Sequence, residues 1–223
     1  MKNYTNFTLH KNYRYNYLAL DIGNVLCKVD IDPFINTIAD TFSIFKGEAE
    51  VFVKRFQKSH DLGYTNTEEE IRSKFVRASE HQIKIILDAW NNVITTDKEM
   101  LTMLNEIKEK YDLVFALLSN IGTEHASLIQ SKLDHEGFLD KTVHHFSCEV
   151  GARKPSLLYY QSFLIEHPSA RQCMYVDDLT ENIEVGRKMG FEAVQFDLTG
   201  VSADISISEL RQKIEKYCQS RQM

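Results

Sequence analysis

Two apolar segments far apart in the chain run straight into aspartates. The first is Tyr17-Leu18-Ala19-Leu20-Asp21-Ile22-Gly23-Asn24-Val25, and the second is Cys173-Met174-Tyr175-Val176-Asp177-Asp178. Hydrophobic runs of this length read as buried strands. In a parallel α/β sheet the carboxyl ends of such strands converge on one crevice, where ligands bind. Three carboxylates gathered there repel one another unless a cation or a protonation shift relieves them. A divalent metal does so, and hard oxygen donors favour magnesium. The pattern therefore predicts a Mg2+ site, with Asp21 placed to act as a nucleophile.

The elements that must position these groups follow from the periodicity. From Asp97 onward, helix and strand alternate. Thr96-Asp97-Lys98-Glu99 reads as a capping box ahead of Met100, Leu104 and Ile107 at helical spacing. Leu113 to Leu118 is a short apolar run ending at Ser119-Asn120, and a helix through Ala126, Ile129 and Leu133 follows. Val143 to Phe146 reads as a short strand. Pro155 falls in the first turn of a helix carrying Leu157, Leu158, Phe163 and Leu164. Thr180 to Met189 is a helix closed by Gly190, Phe191 to Phe196 a last core strand, and Ser206 to Tyr217 a final helix. The stretch from Asp32 to about Ile94 differs, because it is helical throughout. Asp32-Pro33 starts one helix, Thr67-Glu68-Glu69-Glu70 is a capping box for another, and Ile83 to Trp90 forms a third. An all-helical insertion after the first strand sits over the crevice as a lid. The expected layout is an extension at 1–16, an α/β core at 17–31 and 96–223, and a helical cap at 32–95.

Size and composition agree with this layout. A chain of 223 residues suits one core domain with a small insertion. A formal charge of −6 argues against nucleic-acid binding, which calls for a basic surface. No stretch approaches the ~20 apolar residues that span a bilayer. Residues 1–16, rich in Asn, Tyr and Lys, lack the apolar segment of a secretory signal and read as a poorly ordered extension. Cys27, Cys148, Cys173 and Cys218 are scattered without CxxC spacing. That pattern predicts reduced thiols and a cytoplasmic location.

Four short motifs in order now resemble one family. Asp21-Ile22-Gly23-Asn24-Val25, Leu118-Ser119-Asn120, Arg153-Lys154-Pro155, and Val176-Asp177-Asp178 with Asn182 resemble the motifs of haloacid dehalogenase (HAD) superfamily hydrolases. The resemblance covers nearly the whole chain beyond the extension. It is closest to the sugar-phosphate (glucose-1-phosphate) phosphatases whose first motif reads D-x-G-N-V. It implies a Rossmann-like core with a parallel sheet, a small helical cap of the C1 type, and a monomer acting on a small phosphorylated metabolite. It also implies roles for single residues. Asp21 forms an aspartyl-phosphate. Ser119 and the Asn120 backbone hold the phosphoryl oxygens, and Lys154 neutralises charge. Asp21, the Gly23 carbonyl and Asp178 bind Mg2+, with Asp177 or Asn182 acting directly or through water.

One departure bears on the chemistry. Most phosphatases of this superfamily carry a second Asp two residues after the nucleophile as general acid and base. That position here is Gly23. General acid–base help is worth about 10²–10⁴-fold. Water or a cap residue substitutes, with His60 and Asp61 as candidates, or the substrate brings a good leaving group such as an anomeric or acyl phosphate. The remaining reading is a weak or inactive phosphate-binding protein. A mutase needs the missing carboxylate, and a 2-haloacid dehalogenase does not need Asp177 and Asp178. Other conspicuous residues have plainer readings: His60 as a surface histidine, Arg153 as a structural or rim charge, Trp90 as cap core, and His144-His145 as strand neighbours pointing to opposite faces.

Overall fold

The computed structural model of the chain describes residues 16–221. The extension expected at 1–16 therefore lies outside the described residues except for Asn16. In chain order the elements are β1 (Asn16–Leu20), β2 (Cys27–Val29), α1 (Asp32–Phe42), α2 (Lys46–Asp61), α3 (Thr67–Lys74), α4 (Glu80–Asn91) and β3 (Ile94–Thr96). There follow α5 (Lys98–Tyr111), β4 (Leu113–Ser119), α6 (Thr123–His135), β5 (Thr142–Phe146), α7 (Ser147–Val150) and α8 (Leu157–Glu166). The last are β6 (Met174–Asp177), α9 (Thr180–Lys188), β7 (Glu192–Gln195) and α10 (Ile207–Arg221). None of these helices is long and apolar enough to cross a membrane.

The main sheet is parallel, in the order β5-β4-β1-β6-β7. Its two central strands have no polar face. In β1, Leu18 and Leu20 join one apolar cluster, while Tyr17 and Ala19 join the other. In β4, Phe115 and Leu117 face the first cluster, and Val114, Ala116 and Leu118 the second. Residues alternate across a strand, so continuous apolar runs fit only a sheet covered on both sides. Helices α8 and α9 cover one face through Tyr159, Tyr160, Phe163 and Ile183. The other face meets α5, α6 and α10, and its apolar cluster runs on into the insertion through Phe34, Ile38, Phe56, Ile86 and Trp90. Each such side chain contributes about 1.5–3 kcal/mol on burial.

The insertion departs from the all-helical expectation only at its base. There β2 and β3 pair antiparallel, Val29 opposite Ile94 and Cys27 opposite Thr96, and form a two-stranded neck. Four local expectations shift, the first being the cap of α5, which is Asp97, accepting from Met100 N, rather than Thr96. The cap of α3 is Asn66, whose side chain accepts from Glu69 N while Glu69 accepts from Asn66 N. Thr67 is drawn instead to Glu124, its amide and its hydroxyl both donating to Oε2. Helix α8 starts at Leu157 behind Ser156, so Pro155 precedes the helix rather than opening it. Strand β7 is a half-exposed edge rather than a core strand.

Candidate active site

Asp21 follows β1 directly and continues the ladder, its amide donating to the Val176 carbonyl at 2.9 Å. Oδ1 accepts from the Ile22 amide at 2.7 Å and lies 3.0 Å from the Lys154 ammonium, which sets the plane of the carboxylate. Lys154 reaches Asp177 Oδ2 at 2.6 Å. One buried ammonium thus bridges the two strand-end aspartates.

Asp177 is saturated. Oδ2 also accepts from the Tyr175 hydroxyl at 2.5 Å, and Oδ1 accepts from the Leu179 amide and from Asn182 Nδ2, each at 2.9 Å. Asp178 is the looser of the pair. Among the described residues its carboxylate takes one side-chain donor, Asn24 Nδ2 at 3.1 Å. Asn24 stands in the left-handed region at φ 51° and is tied down by Cys27 and Leu198 through its backbone.

Ser119 ends β4, and its hydroxyl makes no hydrogen bond among the described residues. The Asn120 side chain both accepts from Lys154 N at 2.8 Å and donates to Lys154 O at 2.9 Å. Asn120 therefore clamps the backbone that presents the lysine, a role the sequence reading did not assign to it.

The electrostatics follow from this crowding. Burial raises the Asp21 carboxyl to about 7, Lys154 opposing and Asp177 and Asp178 reinforcing. Burial likewise lifts Asp178 to about 6, against the hydrogen bond from Asn24. Burial works against the Lys154 charge, yet Asp177 and Asp21 together hold the ammonium above its ordinary value. Three carboxylates face one cation, which leaves two uncompensated negative charges when all are ionised. One oxygen from each of Asp21, Asp177 and Asp178 lies within 4.8 Å of the others. An all-carboxylate cluster of that size and charge fits a hard divalent cation.

Asp21, Ser119, Asn120, Lys154 and Asp178 line a cavity of about 250 Å³ between the strand ends and the insertion. Its further walls include Gln57, His60, Asp61, Trp90, His125 and Arg153. His60 corrects the sequence reading, being 2% exposed rather than on the surface. Its Nε2 donates to Glu124 Oε2 at 2.9 Å, and Nδ1 lies 3.9 Å from Asp61. Burial opposes the charge of His60, but Asp61 and Glu124 outweigh it and raise the imidazole to about 9. Arg153 pairs with Asp61 at 2.6 Å, the structural role expected of it. His125 donates Nε2–H to the Trp90 carbonyl at 2.9 Å, and burial lowers it to about 4. Trp90 packs between His125 and Phe34, as insertion core. His144 and His145 stay outside the cavity lining.

No family model matches the chain, and no curated protein matches it. Solved structures do. An HAD family enzyme from Bacteroides thetaiotaomicron, in complex with magnesium and inorganic phosphate, superposes with a TM-score of 0.68 at 20% identity, over 88% of this chain and 98% of that one. The L-2-haloacid dehalogenase PA0810 gives 0.61 at 14% identity, over 90% and 99%. An HAD phosphatase from Thermococcus onnurineus gives 0.60 at 16% identity, over 89% and 97%. The chain has the HAD fold. Within that fold Asp21, Ser119 and the Asp177-Asp178 pair converge from the ends of β1, β4 and β6, and Lys154 from the segment before α8. Sequence reading missed Asn24, Tyr175, Glu124 and Gly122. Asn24 alone carried a signal, as a polar residue beside Gly23 in the first motif.

Proposed function

We propose that this chain is a magnesium-dependent phosphatase acting on a small phosphorylated metabolite through an aspartyl-phosphate on Asp21. The observation that carries the reading is the buried Lys154 ammonium, 3.0 Å from Asp21 and 2.6 Å from Asp177, beside the open carboxylate Asp178. Asp21, the Gly23 carbonyl and Asp178 are the proposed Mg2+ ligands. Asp177, with four donors already on its oxygens, acts behind them as the anchor of Lys154, and Asn182 as a brace for Asp177. The Bacteroides HAD family enzyme of the same fold binds magnesium and phosphate, in keeping with the oxygen-only donor set here. When bound, the ion offsets carboxylate charge and attracts the phosphoryl oxygens.

The residues then divide the work. The Asp21 carboxylate attacks phosphorus as the bond to the leaving oxygen breaks, and water later releases phosphate and restores the carboxylate. The Ser119 hydroxyl and Asn120 amide hold two phosphoryl oxygens, and Lys154 offsets charge on Asp21 and on the transferring group.

Among the described residues, no carboxylate or histidine of the cavity is free to replace the missing acid. The carboxylates in the lining are Asp21, Asp61 and Asp178, and Asp61 is paired with Arg153. The Nε2 proton of His60 points to Glu124. This favours a substrate whose leaving group departs without strong protonation, such as an anomeric sugar phosphate or an acyl phosphate. Gly23 also supports a second reading, a phosphate-binding protein with little turnover. The HAD dehalogenases share the fold, but Asp177 and Asp178 would have no role in displacing halide.

The test is phosphate release from sugar phosphates, nucleotides and acetyl phosphate, with magnesium or EDTA, for the wild type and Asp21→Asn. Metal-dependent turnover lost in the variant is the expected result. Absence of turnover on every substrate, in folded protein that binds magnesium, would favour the binding reading.

A further inference from the structure

The cavity is closed from above by polar contacts concentrated on two consecutive residues at the end of α2. His60 and Asp61 are 2% and 6% exposed, although both are charged types at a helix terminus. Burial of such groups is costly unless each is paired, and besides their mutual approach at 3.9 Å both are paired across to the core.

Gly122 is the seat of His60. A Cβ built on Gly122 would lie 2.1 Å from His60 Cε1, 2.4 Å from Nδ1 and 2.7 Å from Nε2. The backbone of Gly122, at φ −79° and ψ 164°, is ordinary extended chain that any residue adopts. Glycine is needed there for the ring and not for the turn. Gly122 also caps α6, two residues beyond Asn120. In the first turn of that helix, Glu124 Oε2 gathers three donors from the insertion: His60 Nε2 at 2.9 Å, Thr67 N at 3.0 Å and Thr67 Oγ1 at 2.9 Å.

Asp61 makes the second set of contacts. Its carbonyl accepts from Ser147 Oγ at 2.5 Å, and the same Oγ accepts from the Ile121 amide at 2.9 Å. Its carboxylate accepts from Arg153 Nη2 at 2.6 Å, one residue before Lys154. The pair thus touches both loops that present the Ser119–Asn120 segment and Lys154.

We propose that His60 and Asp61 are positioning residues, a latch seated on Gly122 that holds the insertion closed over Asp21 and fixes the Ser119–Asn120 and Lys154 loops. The catalytic meaning of the latch rests on the phosphatase reading, whereas its existence does not.

Cys148 can report on closure. A Cβ on Gly63, in the turn after α2, would lie 2.9 Å from the Cys148 carbonyl oxygen and 3.3 Å from its Cβ, so the insertion sits directly on this half-buried residue. Cys173 and Cys218 are buried in the core and report on global unfolding, whereas the buried Cys27 belongs to the β2–β3 neck. Iodoacetamide labelling of the native full-length protein, followed peptide by peptide in a mass spectrometer, is measured for wild type, Gly122→Ala, His60→Ala and the double variant. Loss of a buried, charge-assisted contact corresponds to about tenfold or more. Gly122→Ala should label Cys148 faster by that factor with the core cysteines unchanged. The double variant should label no faster than His60→Ala, because without the ring the new methyl meets nothing. Wild-type labelling of Cys148 in Gly122→Ala overturns the latch, and so does acceleration of all four cysteines together. Magnesium with inorganic phosphate should slow Cys148 labelling in the wild type. Absence of that protection alongside the Gly122→Ala acceleration upholds the latch and counts against the phosphatase reading.

Discussion

Lys154 and Asp177 form a fully buried ion pair, Nζ to Oδ2 at 2.6 Å, and the carboxylate accepts three further hydrogen bonds. A carboxylate with four donors cannot be replaced by an amide without turning one oxygen into a donor that faces another donor. Asp177→Asn should destabilise the protein by about 3–5 kcal/mol, the usual cost of breaking a buried pair from one side. Phosphate release should fall about 10²–10³-fold as the lysine loses its anchor. Urea unfolding and turnover on the best substrate measure the two effects. An unchanged midpoint would show that Asp177 is not the anchor of Lys154.

Among the described residues, Asn24 is the one side chain that hydrogen-bonds Asp178, donating to Oδ2 at 3.1 Å. Groups that orient a metal ligand are worth about 10–100-fold in metal affinity. Asn24→Gly suits the φ of 51° and removes the carboxamide, with its contacts to Asp178 and to the Val29 amide. Its magnesium Kd, read by calorimetry, should rise within that range. In the wild type, magnesium at a hundred times its Kd should add about 2.7 kcal/mol of stability, and Asp178→Asn should lose this gain. A thermal scan with and without EDTA tests both, and equal shifts in wild type and Asp178→Asn would remove Asp178 from the ligand set.

The groups at strand ends were legible because their signal is local. An apolar run that stops at Asp21, Ser119 or Asp177 declares a strand edge, and a parallel sheet gathers such edges. What was not legible depends on partners far away in sequence. His60 reads as a surface histidine on an amphipathic helix, and its burial is decided by Glu124, 64 residues on, together with a glycine that leaves room for it. The α3 cap shows the same limit. Asn66 and Thr67 are both good capping residues, and the choice falls to Asn66 because Glu124 takes the Thr67 hydroxyl. The β2–β3 neck was missed because three-residue strands carry too little periodicity to be recognised.

His60 gives the fold a pH dependence with a definite sign. Its imidazole is raised from 6.5 to about 9 in the folded chain, despite burial, by Asp61 and Glu124, while the neighbouring His125 stays neutral. A raised value means that the folded state holds the proton more tightly. The stabilisation is fully present below about pH 6.5 and is lost as pH rises through about 9. Its ceiling is about 3 kcal/mol. Denaturation midpoints at pH 6 to 10 should show the gap between wild type and His60→Gln narrowing across that window. A gap that stays constant would mean that His60 is uncharged in its seat.

Gly186 on α9 tests how far the packing behind the site sets its geometry. A Cβ there would lie 2.7 Å from Cδ1 and 3.1 Å from Cε1 of Tyr175, a ring with no exposed surface. The ring carries the hydroxyl that donates to Asp177 Oδ2 at 2.5 Å. It cannot retreat within a closed core, so Gly186→Ala must move the hydroxyl or the helix. Overpacking of this kind costs about 1–3 kcal/mol. Tyr175→Phe keeps the ring and deletes only the donor, at about 1.5–3 kcal/mol for a hydrogen bond to a charged group. If the ring displacement is transmitted to Asp177, the two changes share one effect. The double variant should then lose less stability than the sum of the single losses. Strict additivity would mean that α9 shifts instead of the ring, leaving Asp177 and Lys154 undisturbed.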